Sequence, residues 1–331
     1  MMKYRTMIIG CGNIAGGLDS GEIDSARAPL THAKAYRAHE YFDVLGCVDS
    51  DPEQRFKFQK YWSLDHSFSS IEEAISKKIE VDIISICSPT DYHGAHLEQV
   101  LALNPKLVFC EKPMHSDALG AQKIVEVYKR HNVHLMVNYS RRFDPSVVSF
   151  KQSITEGEFG ELRAVSGWYN KGLLNNGSHL LDLLIFLFGN LSIEHVGDAL
   201  YDYNLTDPSL PLVLATSEGI SIALSCGNSN DFSLIELEFL FSNARVKMLN
   251  GGRQWSVEGV IEDAIFKGYK SLGPSKVSDG EYMQVFQNAL SNIHNCLSKQ
   301  RQLKSSGEDA LCVMNLYSEI LRKLKYNSNL I

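Results

Sequence analysis

Long apolar runs are missing from this 331-residue chain. The longest, Leu180 to Leu187, contains Asp182 and falls far short of the roughly 20 residues that cross a bilayer, so no membrane partner is expected. A basic excess is missing too. The chain sets 32 Lys and Arg against 39 Asp and Glu, for a formal net charge of -7, and scatters its cations, which excludes the footprint of a nucleic-acid binder. There is no C-x-x-C pair. The seven cysteines, Cys11, Cys47, Cys87, Cys110, Cys226, Cys296 and Cys312, are widely spaced and several sit in apolar runs, so they read as buried reduced thiols. The stretch before Gly10 is too short for a secretory signal and has no cleavage pattern, so a cytoplasmic protein is expected. Repeats and low-complexity segments are absent.

What is present is an ordinary globular composition, 44% hydrophobic and 21% charged, long enough for two domains. The first half alternates short apolar runs (Met7–Ile9, Val44–Val48, Val81–Ile86, Leu107–Cys110, His134–Val137) with stretches of helical spacing such as Ile71–Lys78 and Ala118–Lys129. This pattern predicts a doubly wound parallel sheet, a Rossmann domain of α/β class, over residues 1–140. From 141 to 331 the texture changes. Strand-like pieces at Leu162–Tyr169, Leu212–Ala215, Ile220–Ser225, Leu234–Phe241 and Ala244–Met248 follow one another without regular helices between them. They predict an α+β domain with a mainly antiparallel open sheet, framed by helices near Ser178–Phe188, Tyr282–Lys299 and Gly307–Lys325.

Gly10-Cys11-Gly12-Asn13-Ile14-Ala15 fits G-x-G-x-x-A directly after the first apolar strand. Glycines there allow a tight turn and close approach of the backbone to a pyrophosphate, so Gly10, Gly12, Asn13 and Ile14 are candidate cofactor contacts. Asp49 ends the second strand, where a carboxylate accepts hydrogen bonds from the adenosine ribose hydroxyls. Asp49 and Asp51 repel a 2'-phosphate and no Arg or Lys adjoins them in sequence, which favours NAD over NADP. Asp49 lies farther from Gly10 than a minimal unit requires, and the excess falls between Gly16 and Thr31, read as a loop inserted between the turn and its helix.

Ser88-Pro89-Thr90-Asp91-Tyr92-His93, followed by Cys110-Glu111-Lys112-Pro113, resembles the paired motifs of the Gfo/Idh/MocA oxidoreductase family. That resemblance implies a Rossmann domain joined to an open antiparallel sheet, and hydride exchange between NAD or NADP and a sugar, inositol or nucleotide sugar. It implies Lys112 as a catalytic lysine and Ser88, Pro89, His93, Glu111 and Lys112 as cofactor contacts, with a cis peptide between Lys112 and Pro113 in many members. Asn175-Asn176-Gly177-Ser178-His179 resembles the second signature, Asp-x-Gly-x-His. His179 becomes the second acid/base candidate, since an imidazole exchanges protons near neutral pH. Asn175 stands where classical sugar dehydrogenases carry Asp; it can hydrogen-bond a hydroxyl but takes up no proton. Arg142 and Lys171 are further candidate substrate ligands.

His93 and His96 sit three apart, but a loop running into a helix explains that spacing and no metal site is expected. The resemblance also implies a homodimer or homotetramer, and the strand Leu234–Phe241 reads as apolar enough for both faces to want cover. Two other functions stay open. One is a cofactor-binding regulator that has lost its chemistry, which retained Lys112 and His179 oppose. The other is a glycosidase that uses NAD transiently.

Overall fold

The computed structural model describes residues 3–21 and 27–328; part of the insertion, residues 22–26, lies outside the described residues. In chain order the first elements are β1 (Tyr4–Ile9), α1 (His32–Ala38), β2 (Phe42–Val48), α2 (Pro52–Trp62), β3 (His66–Phe68), α3 (Ile71–Ser76), β4 (Ile83–Ile86), α4 (Thr90–Gln99), β5 (Leu107–Cys110), α5 (Ala118–His131) and β6 (His134–Val137). There follow α6 (Pro145–Thr155), β7 (Leu162–Tyr169), a π-turn (Gly172–Gly177), α7 (Ser178–Phe188), β8 (Leu191–Val196), β9 (Leu200–Asn204), β10 (Asp207–Ser209), β11 (Leu212–Thr216) and β12 (Ser221–Cys226). The chain closes with β13 (Ile235–Phe241), β14 (Ala244–Leu249), β15 (Gln254–Glu262), β16 (Lys270–Leu272), β17 (Lys276–Asp279), α8 (Val285–Lys299) and α9 (Gly307–Ser328).

These elements form two compact units, one of residues 1–143 with 283–314 and one of 144–282 with 315–331. A single cut near residue 140 therefore places α8 in the wrong unit. The reason is side-chain packing: on α8, Phe286 meets the His32 ring at 5.2 Å and His294 stacks on Tyr41 at 3.8 Å, while Ser305 Oγ donates to the Val137 carbonyl at 2.7 Å.

The first unit carries a six-stranded sheet in the order β3-β2-β1-β4-β5-β6, with every pair parallel. Strands β1, β4 and β5 are buried almost throughout, as a sheet covered on both faces demands, which accounts for their unbroken apolar sequence. The order reverses between β1 and β4, the place where such sheets take a ligand. Register aligns the carboxyl ends in one row, with Ile9 opposite Val48 and Ile86, Ile86 opposite Cys110, and Cys110 opposite Val137. The residues that follow each of these, Asp49, Gly10, Cys87, Glu111 and Asn138, consequently crowd along one edge.

The second unit is built on a larger sheet, β16-β15-β14-β13-β7-β12-β11-β8, with β17 also on β15. Only β7 and β12 run parallel; the other pairs are antiparallel. Its buried face gathers Val165, Ile222, Phe239 and Val246, and Phe150 of α6 packs there with ring centroids 4.8 Å from Phe239 and 5.1 Å from Trp255. The opposite face corrects one expectation. On β13 it carries Glu236 and Glu238 rather than a second apolar row, and Arg245, Lys247, Glu238 and Glu258 form an ion cluster there, anchored by Arg245 Nε on Glu258 at 2.5 Å.

Candidate active site

In the first unit the glycine turn sits at the head of β1. Gly10 has φ of +88°, and a Cβ there would lie 2.7 Å from the Ser88 nitrogen, so only glycine fits between the turn and the chain leaving β4. Gly12 differs, because a Cβ built on it meets nothing within 4 Å and the space over the turn is open. The turn closes on itself through Gly16 and Gly17 N–H groups on the Gly12 carbonyl. No helix leaves the turn directly; a 3-10 turn, Gly17–Asp19, comes first and α1 starts only at His32. Buried Asp19 ties the two ends together by accepting from Leu30 N at 2.9 Å and Thr31 Oγ1 at 2.8 Å. Beside the turn lies a cavity of about 750 Å³, lined among others by Cys11, Asn13, Gly17, Gln54, Lys57 and Tyr61.

Asp49 stands over the same turn. Its Oδ2 accepts from Cys11 N at 2.7 Å and its Oδ1 from Asp51 N at 2.9 Å, and each carboxylate oxygen retains a second lone pair for a hydroxyl. Sequence adjacency missed one neighbour: Arg55, from the first turns of α2, donates Nη1 to the Asp49 carbonyl at 2.5 Å. Cys11 and Cys47 also adjoin here; their mutual hydrogen bond and burial push the Cys11 thiol well up, so it acts as a packed thiol.

Ser88 and Pro89 lead from β4 into α4, and Ser88 Oγ pairs with His96 Nδ1 at 2.9 Å. His93 is a candidate cofactor contact by resemblance. It is 1% exposed and turns Nδ1 to the Pro113 carbonyl at 2.7 Å and Nε2 to the Ser88 carbonyl at 2.8 Å, a brace between two loops. The Lys112–Pro113 peptide is cis, as the resemblance implies. Lys112 is half-buried after the end of β5, whereas Glu111 is turned inward. Glu111 accepts from Asn138 Nδ2 at 2.7 Å, contacts His32 Nε2 at 2.9 Å and faces the Lys112 main-chain nitrogen at 3.4 Å. Burial alone pushes this carboxyl up, but the His32 and Asn138 hydrogen bonds and the nearby Lys112 charge hold it below the usual carboxylate range. Arg142, a candidate substrate ligand, is 4% exposed, pairs with Asp309 at 2.8 Å and donates to the Lys304 carbonyl. These contacts tie it to the segment 304–309 of the first unit.

In the second unit His179 is half-buried in the first turn of α7, just after the π-turn Gly172–Gly177. Such wide turns recur at functional sites, and this one is held from outside. Asp207 of β10 accepts from Leu174 N at 2.7 Å and Asn175 N at 2.9 Å, Ser209 Oγ accepts from Gly172 N at 3.0 Å, and Tyr169 hydroxyl bonds the Leu210 main chain. A Cβ on Gly172 would lie 2.1 Å from Asp207 Oδ2, so glycine makes room for the carboxylate. Asn175 donates its amide to the Lys171 carbonyl at 3.1 Å, and Lys171 adopts φ of +63°. Asn175, Lys171 and His179 thus share one short segment. Asp207 carried no motif by which sequence could single it out.

Residues 4–139 match the model of an oxidoreductase family described as having an NAD-binding Rossmann fold. Over 325 residues the chain is 24% identical to inositol 2-dehydrogenase of Rhizobium meliloti, covering 92% of this chain and 96% of that protein. Its fold is similar to the WlbA dehydrogenase of Bordetella pertussis, crystallised with NADH and UDP-GlcNAcA (TM-score 0.76, 16% identity, 98% of this chain and 97% of that one). It is similar as well to a super-repressor mutant of Gal80p from Saccharomyces cerevisiae (TM-score 0.78, 13% identity, 98% and 97% covered).

Proposed function

Because the chain belongs to the Gfo/Idh/MocA oxidoreductase family, we propose that it is an NAD-dependent dehydrogenase acting on a secondary alcohol of a sugar, sugar derivative or nucleotide sugar. The observation that carries this reading is the edge of the parallel sheet, where an open glycine turn, the Asp49 carboxylate and Lys112 follow strand ends held in register. These residues fit a dinucleotide: Gly12 leaves the approach to the backbone clear, and Asp49 presents acceptors to a ribose diol. Bound NAD supplies the hydride acceptor. The chain supplies the proton chemistry, with Lys112 and His179 taking up the hydroxyl proton and stabilising charge on the reacting oxygen. Asn175 orients a substrate hydroxyl, and Lys171 adds a cation for an acidic substituent.

A non-catalytic regulator is the second reading, favoured by the likeness in fold to Gal80p and by Asn175 in place of an acid. A panel of inositols, free sugars and nucleotide sugars, followed by absorbance of NADH, separates the two: turnover supports the enzyme, and NAD binding without turnover anywhere on the panel supports the regulator. We place the reaction in the cytoplasm, which the free and mostly buried cysteines support. Assembly into a homodimer or homotetramer is proposed through the second unit's outward sheet face, where Trp168 and Leu240 are 39% and 43% exposed beside the ion cluster. Sedimentation at micromolar concentration reads it directly, and a monomer contradicts it.

A further inference from the structure

Within the first unit a run of buried polar groups leads from α1 to the residue before Lys112. Tyr36, Ser85 and His32 have no exposed surface at all and Glu111 is 9% exposed, so every hydrogen bond among them must be made by the protein. The contacts are continuous: Tyr36 hydroxyl to Ser85 Oγ at 2.8 Å, Ser85 Oγ to His32 Nδ1 at 3.1 Å, and His32 Nε2 to Glu111 Oε1 at 2.9 Å.

The direction of the run follows from counting protons. Tyr36 is fully buried and its hydroxyl meets Ser85 Oγ alone among the described residues, so it gives its hydrogen to Ser85. A serine hydroxyl has one hydrogen, which is then left for His32 Nδ1. Nδ1 is therefore an acceptor, the ring proton sits on Nε2, and it is donated to Glu111. Asn138 adds a second donor to the same oxygen, and the Lys112 main-chain N–H faces the other. A carboxyl surrounded by donors is an anion. Packing of the imidazole between Phe109, at 4.6 Å, and Phe286 explains why a ring sits here but not why both its nitrogens meet polar partners.

We propose that His32 is a positioning residue: the chain Tyr36–Ser85–His32 holds Glu111 as a buried carboxylate beside Lys112 and thereby sets the proton affinity of the lysine. The inference rests on the reading above that Lys112 handles the substrate proton. Glu111 precedes Lys112 in the chain, its Oε2 lies 3.4 Å from the Lys112 main-chain nitrogen and the Lys112 charge acts on its carboxyl, so a fixed anion there favours the protonated amine. Around Glu111 the other titratable groups are Cys87 and Cys110, whose thiols burial drives well up, with a smaller push from the Glu111 charge. His32 also donates its main-chain N–H to the Ile14 carbonyl, so the same residue joins the glycine turn to the lysine.

Competitive labelling of the full-length protein with acetic anhydride across pH, read at Lys112 by mass spectrometry, tests this without a substrate. Glu111→Gln and His32→Leu should each lower the Lys112 midpoint by about one unit, an approximately tenfold gain in labelling near neutrality. His32→Gln, whose amide still donates to Glu111, should recover a large part of the difference. A His32→Leu protein that keeps its melting temperature and NAD binding but also the wild-type midpoint overturns the proposal. Should that variant not fold, Ser85→Ala serves with 15N-labelled histidine: loss of the Nε2–H tautomer of His32 together with a lowered midpoint is expected, and no change in either overturns it. Labelling is independent of turnover. If Lys112→Ala remains active while the midpoints move, the catalytic reading fails and the electrostatic link stands.

Discussion

Asp207 accepts the main-chain N–H of Asn175 at 2.9 Å, and by this bond a carboxylate some distance along the chain shapes the segment that presents His179. Its other oxygen takes Leu174 N at 2.7 Å, and the residue is 8% exposed. Asp207→Asn replaces one acceptor by a donor pointed at an N–H. The loss should cost about 1–3 kcal/mol in thermal or denaturant unfolding. Turnover should fall with it, while NAD affinity, measured by calorimetry, should hold because the cofactor residues belong to the other unit. An unchanged melting curve would show that the π-turn stands without its clamp.

The Asp49 carboxylate both organises the turn and faces the open space above it, so its removal has two consequences. Asp49→Ala should weaken NAD by roughly tenfold to a hundredfold, the scale of lost hydrogen bonds to a charged group. Arg55 lies against the Asp49 backbone and survives that change. NADP should therefore gain relative to NAD in Asp49→Ala, and lose that gain in the double variant Asp49→Ala/Arg55→Ala. Calorimetric titration with both cofactors checks the order; equal losses for the two would remove the 2'-phosphate argument.

Acid sensitivity should come in part from Asp82, buried just before β4. Burial pushes its carboxyl up, but Lys106 Nζ at 2.8 Å and the Arg5 main-chain N–H at 2.9 Å outweigh that and hold it below its ordinary value. A depressed carboxyl stabilises the fold above the unfolded pKa of about 3.9 and loses that contribution as pH falls through the folded value. The stability gap between wild type and Asp82→Asn should be full at neutral pH, on the order of 1–3 kcal/mol. Below about pH 4 it should close. A gap that persists in acid would assign Asp82 a role through shape instead of charge.

Legibility in the sequence followed burial. Strands β1, β2, β4, β5 and β6 announced themselves as apolar runs because both faces of the parallel sheet are covered, and the site row at their ends was readable with them. β3, three residues at the sheet edge with only Phe68 buried, gave no such pattern. Neither did β16 and β17, whose exposed residues alternate with nothing. The periodicity of α8 shows a helix but not which core takes its apolar stripe, which packs with the first unit. Motifs located Glu111 and His93, yet only side-chain geometry reveals that both face inward. Asp207 and the Tyr36–Ser85–His32 run are contacts between distant segments, which a single sequence does not display.

The division of labour between Lys112 and His179 is the most exposed part of the functional reading. With an amide at position 175, no carboxylate there shares the proton, so Lys112→Ala and His179→Ala should each lower turnover by about 100-fold or more, the scale of acid/base groups. NAD binding should survive His179→Ala, because His179 belongs to the second unit and the cofactor residues to the first. From composition alone Asn175→Asp looks harmless, since it restores the acid of related dehydrogenases without changing size. The structure argues otherwise. The Asn175 amide donates to the Lys171 carbonyl at 3.1 Å, and its main-chain nitrogen is already bound to the Asp207 carboxylate. A second carboxylate here would meet a carbonyl oxygen and a like charge, which raises its pKa and costs about 1 kcal/mol or more in stability. Asn175→Asp should thus melt earlier than wild type and show a pH–rate profile displaced upward, and pairing it with Asp207→Asn should relieve part of the loss. Full activity of both Lys112→Ala and His179→Ala on a substrate found by the screen would end the catalytic assignment, whatever Asn175→Asp does.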